Sequence, residues 1–179
     1  MPTGERTIRS TRVYEGRVVS LRVDEVELPS GKTAVREIIE HRGAVAVVPL
    51  TRERDVLLVR QYRAPAGRRL LEIPAGTIEP GEPVESCAAR ELAEEVGMHA
   101  GRWHPLGSIF PSPGFLTEVV HLFLAEDLSP HALEAEEEEM EVISVPFGEA
   151  ARLVDRGDIR DAKSVAGILL ASRHLESSR

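Results

Sequence analysis

Residues 76–98 read GTIEPGEPVESCAARELAEEVGM. Pro83 suits a first helical turn, where a missing N–H leaves nothing unpaired, and Gly97 suits a C-terminal cap. The residues between them predict a helix of about four turns. On such a helix Glu91, Glu94 and Glu95 stand at i, i+3 and i+4, so their carboxylates share one face. Val84, Ala88 and Leu92 have related spacing and form an apolar stripe about a third of a turn away. One face packs while the other gathers negative charge.

Like charges on adjoining turns destabilise a helix by a few tenths of a kcal/mol per pair, about 0.2–0.5. Arg90 can reach Glu94 at i+4, but one guanidinium cannot neutralise the set. A hard divalent cation with oxygen ligands, Mg²⁺ or Mn²⁺ in its place, would offset the remainder. A solvated acidic face is the ordinary outcome for a run of glutamates. The glycine, turn and glutamate that precede the helix, together with Arg90, weigh against it here.

Outside this stretch, composition sets bounds. The chain has 179 residues with 42% hydrophobic side chains, enough for one globular domain with a full core, or one domain with a small appendage. No apolar run approaches a membrane span and MPTGERTIRSTR lacks the apolar centre of a signal peptide, so a soluble cytoplasmic protein is expected. Cys87 is the only cysteine, which rules out an intrachain disulfide; its apolar neighbours predict a buried thiol. The six histidines show no HExxH or paired-ligand spacing for zinc. A net charge of −8 without a basic patch makes nucleic acid and anionic membrane poor partners.

Short alternating runs at 11–19, 21–28 and 33–40 predict three N-terminal strands, the last two joined by a Pro29-Ser30-Gly31-Lys32 turn. Residues 44–49 and 56–61 are nearly continuous apolar runs, as central strands covered on both faces should be. Further strands are expected at 102–106, 119–125 and 142–145, and helices at about 148–156 and 162–175. The fold class is α+β, a mixed sheet between helices with a small N-terminal antiparallel β appendage. Residues 1–43 form that appendage and 44–179 the main domain.

The pattern at Gly76, Glu82, Arg90, Glu91, Glu94, Glu95 and Gly97, with five residues between the first two and seven between Glu82 and Arg90, resembles the Nudix box. The chain is therefore similar to the Nudix hydrolases, whose fold is the α+β arrangement just described. Pro113, within PheProSerProGlyPhe and fifteen positions past the box, resembles the marker of the ADP-ribose pyrophosphatase branch; two prolines and a glycine make a rigid turn in any case. The resemblance continues through ArgGluIleIleGlu at 36–40, ValArgGlnTyrArg at 59–63 and LeuGluIleProAlaGly at 71–76.

The resemblance implies roles. Arg36 and Glu37 would serve the adenine end of the site, and Arg63 the pyrophosphate, for which a planar fork of donors is suited. Pairing of Arg36 and Arg63 with surface carboxylates is the alternative. Ala75 would offer its carbonyl to a metal beside Glu91 and Glu95, with Glu94 joining when more than one ion binds. Arg90 and Glu82 would fix the box loop against its helix. In the acidic run 135–142, Glu136 or Glu138 would be the general base. The implied reaction is metal-dependent hydrolysis of a nucleoside diphosphate sugar, ADP-ribose giving AMP and ribose 5-phosphate, by a homodimer whose N-terminal strands complete the site. Two alternatives stay open: another sugar nucleotide or a dinucleotide, such as GDP-mannose or NADH, and a non-catalytic ADP-ribose sensor. The sensor reading predicts loss of box carboxylates, and all are present.

Overall fold

The computed structural model describes residues 4–131 and 140–177. The chain divides into two units, one taking in Met1–Gly43 and Phe110–Val119, the other Ala44–Ile109 and Val120–Arg179.

The first unit is an antiparallel sheet of β1 (Arg6–Glu15), β2 (Ser20–Glu27) and β3 (Thr33–Glu40), in that order. Ser20 lies opposite Glu40 and Glu27 opposite Thr33, so the turn between β2 and β3 spans the expected Pro29–Lys32. Gly31 there has φ 80°, which a glycine takes without strain. Ile39 exchanges main-chain hydrogen bonds with Phe115 and Thr117, tying the 110–119 segment to β3. β1 begins earlier than expected and ends at Glu15 rather than continuing to Val19, because Gly16 to Val19 make the turn into β2. Every residue of β1 is exposed, so no buried apolar pattern marked its bounds.

The second unit is built on a four-stranded sheet in the order β7-β4-β9-β8, from β4 (Ala44–Pro49), β7 (Ala75–Thr77), β8 (Met98–Ile109) and β9 (Val120–Pro130). β4 pairs parallel with β9 and antiparallel with β7, so the sheet is mixed. A second sheet places β5 (Asp55–Arg63) between β10 (Glu141–Pro146) and β6 (Arg68–Glu72). Three helices follow the predicted order: α1 (Val84–Val96), α2 (Phe147–Asp155) and α3 (Ala162–Ser177).

Strand alternation explains how both sheet faces are filled. Side chains of successive residues point to opposite faces, and all six residues of β4 are buried. Ala44, Ala46 and Val48 join Leu122, Leu124, Ile168 and Ala171 in one core. Val45 and Val47 join Phe123, Cys87, Ala88 and Leu92 in the other. α3 thus covers one face of β4 and α1 the opposite face.

Two further sequence readings need correction. Pro83 is the N-cap of α1 and not part of its first turn: its ψ of 144° is extended, and helical geometry starts at Val84. β6 and β7, which the apolar pattern did not predict, flank Ile73-Pro74; a proline there breaks what is otherwise one run, and each piece is short. Gly97 has φ 66° and its N–H bonds back to Ala93, the left-handed cap expected of it.

α3 approaches the sheet closely because Gly167 has no side chain. A Cβ at this position would lie 2.7 Å from Ile73 Cδ1 and 3.3 Å from Val48 Cγ2, both in fully buried residues. Gly167→Val should destabilise the protein by about 1–3 kcal/mol through overpacking, read as a lower urea midpoint with an unchanged slope.

Candidate active site

The box loop and α1 are joined by one guanidinium. Arg90 Nε and Nη2 donate to the two oxygens of Glu82 at 2.9 and 3.0 Å, and Nη2 also reaches the Thr77 carbonyl at 3.3 Å. Its Nη1 donates to Glu91 Oε1 at 2.7 Å and to Glu94 Oε2 at 2.9 Å. The expected Arg90–Glu94 and Arg90–Glu82 pairs are both present. Those contacts push the Arg90 pKa above its ordinary value, the Glu82 hydrogen bond contributing most.

Glu82 also accepts the Glu79 N–H at 2.9 Å. Hydrogen bonds from Arg90, then from the Glu79 backbone, hold its pKa at about 2. Glu91 behaves in the opposite sense: burial, against a smaller opposing effect of Arg90, pushes its pKa up. Its carboxylate lies directly over Gly76, where a Cβ would stand 1.8 Å from Oε1. A side chain at position 76 and a buried Glu91 are therefore incompatible. Glu95, also buried, accepts the Ala75 N–H at 2.9 Å, which fastens the first residue of β7 to α1.

The donor set suits a hard divalent cation. It is all oxygen, it occupies one helix face, and the buried Glu91 is a carboxylate whose charge its surroundings disfavour. In this structure the carboxylates are shared out between Arg90 and the Ala75 amide. Accordingly, no three His, Cys, Asp or Glu side chains among the described residues converge as metal ligands do. Cys87, whose thiol donates to the Thr77 carbonyl, is raised to about 12 by burial and then by Glu82, so it is not a nucleophile at neutral pH.

Arg63 ends β5. Alternation places it on the same face as Gln61 and Val59, the latter packed in the core shared with α1. Its Nε and Nη2 donate to Glu72 at 3.0 and 2.8 Å, and Glu95 adds a more distant attraction. Glu72 is 1% exposed. Lys163, at the start of α3, donates to Glu72 Oε2 at 2.5 Å and to Asp161 Oδ1 at 2.7 Å. Burial acts to raise the Glu72 pKa, but Arg63 and Lys163 together outweigh it and the carboxyl stays below its ordinary value. Glu72 and Lys163 received no role from the sequence. The available signal was a lone acid between Leu71 and Ile73, since a charge inside an apolar run must find a partner.

Ala75, Glu91, Glu94, Glu95 and Arg63 all belong to the second unit. Arg36, Glu37 and Pro113 belong to the first. Arg36 pairs with Glu5, as its surface-pairing alternative anticipated; Glu37 is exposed opposite Val23, and Pro113 is exposed. Glu136 and Glu138 lie outside the described residues.

The chain belongs to the family described as the NUDIX domain, whose profile matches residues 40–167. A second profile, the nucleoside diphosphate sugar hydrolase N-terminal domain, matches residues 5–39. The chain is similar to an ADP-ribose pyrophosphatase of Bacillus subtilis, 43% identical over 92% of this chain and 90% of that protein. It is also similar to a methanol dehydrogenase activator of Bacillus methanolicus, 41% identical over the same shares of each. Among solved structures, the crystal structure of an ADP compounds hydrolase matches with a TM-score of 0.86 and 26% identity, covering 97% of this chain and 95% of the other.

The depressed pKa of Glu82 has a definite sign. A carboxyl held below its unfolded value stabilises the fold above that value, and the stability is lost as pH falls from 4.5 towards about 2. Acid unfolding followed by circular dichroism should therefore show a shallower pH dependence over that window in Glu82→Gln than in wild type.

Proposed function

We propose that this chain is a metal-dependent pyrophosphohydrolase of nucleoside diphosphate sugars, with ADP-ribose as substrate and AMP and ribose 5-phosphate as products. The observation that carries the reading is the placement of Glu91, Glu94 and Glu95 on α1, the first two bonded to Arg90 and the third to the Ala75 amide, in the same unit as an arginine fork at Arg63. The family membership and the names of the similar proteins support it. The intact carboxylate set favours catalysis over sensing.

Glu91, Glu94, Glu95 and the Ala75 carbonyl would hold Mg²⁺. A bound divalent cation supplies Lewis-acid polarisation of a phosphate oxygen and a more acidic water. Arg90 keeps Glu91 and Glu94 together on one side of the helix, and the Ala75 amide fixes Glu95. Arg63 offers N–H donors to the pyrophosphate oxygens, on which charge grows as water oxygen bonds to phosphorus and the bridging P–O bond breaks. The proton leaving water goes to a loop carboxylate, assigned from the family resemblance to Glu136, with Glu138 as its neighbour. Adenine recognition falls to Arg36 and Glu37, and the Pro113 turn belongs to the same branch pattern.

The protein is read as a cytoplasmic homodimer formed through the N-terminal region of residues 1–43. Support comes from apolar side chains left open on the first unit, Val13, Tyr14 and Val35 each being more than half exposed. None of the described helices is long and apolar enough to cross a membrane. Light scattering at micromolar concentration should give twice the chain mass, and a monomeric mass would sink the dimer.

A panel of ADP-ribose, NADH, GDP-mannose and diadenosine polyphosphates, assayed for Mg²⁺-dependent product release, tests the substrate. ADP-ribose should rank among the best by kcat/KM, and a poor rank would overturn that assignment. Glu95→Gln should lower kcat on the order of 10²-fold or more with the fold intact, equivalent to about 3 kcal/mol of transition-state stabilisation. Retention of most activity would remove Glu95 from the ligand set.

A further inference from the structure

Burying a carboxylate is costly unless its partners are well placed. Glu72 is nonetheless buried between Leu71 and Ile73, with both oxygens occupied by Arg63 and one of them also by Lys163. Two apolar side chains of similar volume would seal the same space at least as well. The arrangement therefore calls for a reason beyond packing.

The hydrogen bonds supply one. A guanidinium carries five N–H donors in a rigid fork. Arg63 spends its Nε and one Nη2 donor on Glu72, and among the described residues no hydrogen bond is made by Nη1. The side chain remains 38% exposed although its anchor is closed from solvent. One edge of the fork is pinned and the other is left to bind.

The pin is set from a distant part of the chain. Asp161 Oδ1 accepts the Ser164 N–H at 3.1 Å, capping the start of α3, and accepts Lys163 Nζ at the same time. Ser164 Oγ in turn accepts the Ile73 N–H at 2.9 Å, beside Glu72. The first turn of α3 is thus bonded twice at the end of β6, once from the Ile73 N–H to the Ser164 hydroxyl and once by charge from Lys163 to Glu72. Lys163 is held by Asp161 where it must be to reach Glu72, and the four charges of the cluster sum to zero.

We propose that Glu72 and Lys163 are positioning residues for Arg63: the buried carboxylate, held from α3 by Lys163, fixes one edge of the fork so that Nη1 is presented to substrate phosphate. The inference rests on the functional reading above, and its consequence is specific. Lys163 acts on substrate binding through Arg63 and by no other route.

A double-mutant cycle tests it, with KM and kcat for ADP-ribose measured for wild type, Lys163→Gln, Lys163→Arg, Arg63→Gln and the double variant Arg63→Gln/Lys163→Gln. Loss of the Lys163 charge should raise KM about tenfold and lower kcat by less than about threefold, and Lys163→Arg should restore wild-type KM. In the Arg63→Gln background the same Lys163→Gln change should move KM by less than about twofold, because the residue it acts through is gone. A tenfold rise that persists without Arg63, or no rise at all, overturns the inference. Should Lys163→Gln fail to fold, Glu72→Asp takes its place, since it keeps the charge and shortens the anchor by one methylene.

A second readout needs no turnover. The Arg63 Nε–H, bonded to Glu72, should exchange with water at least about tenfold faster in Lys163→Gln than in wild type by proton NMR. Unchanged exchange contradicts the positioning role. Wild-type protein that hydrolyses none of the nucleotide sugars sinks the functional reading and this inference with it; an active wild type with an Arg63-independent Lys163 effect sinks the inference alone.

Discussion

The second unit depends on keeping carboxylates together where water would be replaced by protein. Arg90 is the means: one guanidinium bonds Glu82, Glu91 and Glu94 and also touches the Thr77 carbonyl. Without that positive charge, Glu91 would face burial and like charges at once. With it, the loop from Thr77 to Glu82 is fixed to α1, and the acidic face keeps its shape. Gly76 completes the constraint from the other side, because its missing side chain is the space that the Glu91 carboxylate fills.

Of the three carboxylates buried in this unit, Glu72 and Glu91 are handled differently. Glu72 receives two cations and falls below its ordinary pKa, so it is an anchor that stays charged. Glu91 receives a share of one cation and rises, so its charge is only partly compensated. A fully compensated carboxylate serves the fold; an under-compensated one is suited to take a further cation. Glu91 on α1 therefore carries the unmet demand for charge, while its neighbour Arg90 and Glu82, in the loop before α1, belong to the scaffold.

Much of this was legible in the sequence because α1 is local. Its cap, its acidic face and its apolar stripe lie within residues 83–97, and every contact of Arg90 falls within thirteen positions of it. β4 was legible for a related reason: burial on both faces leaves an uninterrupted apolar run. The misses were non-local or lacked pattern. β1 is exposed throughout, β6 opens on two arginines, and the Lys163–Glu72 contact spans 91 positions. A spacing rule can place carboxylates on one helix face, but it cannot say which strand acid a lysine on a later helix will reach.

The metal role proposed for the α1 carboxylates is separable from hydrolysis. Titration of the metal-free protein with Mn²⁺, followed by electron paramagnetic resonance of the free ion, addresses it without any substrate. Wild type should bind the ion, and Glu91→Gln and Glu95→Gln should each weaken binding by about tenfold or more while retaining the wild-type circular dichroism spectrum. Equal affinity in wild type and both variants would rule out a cation site on α1.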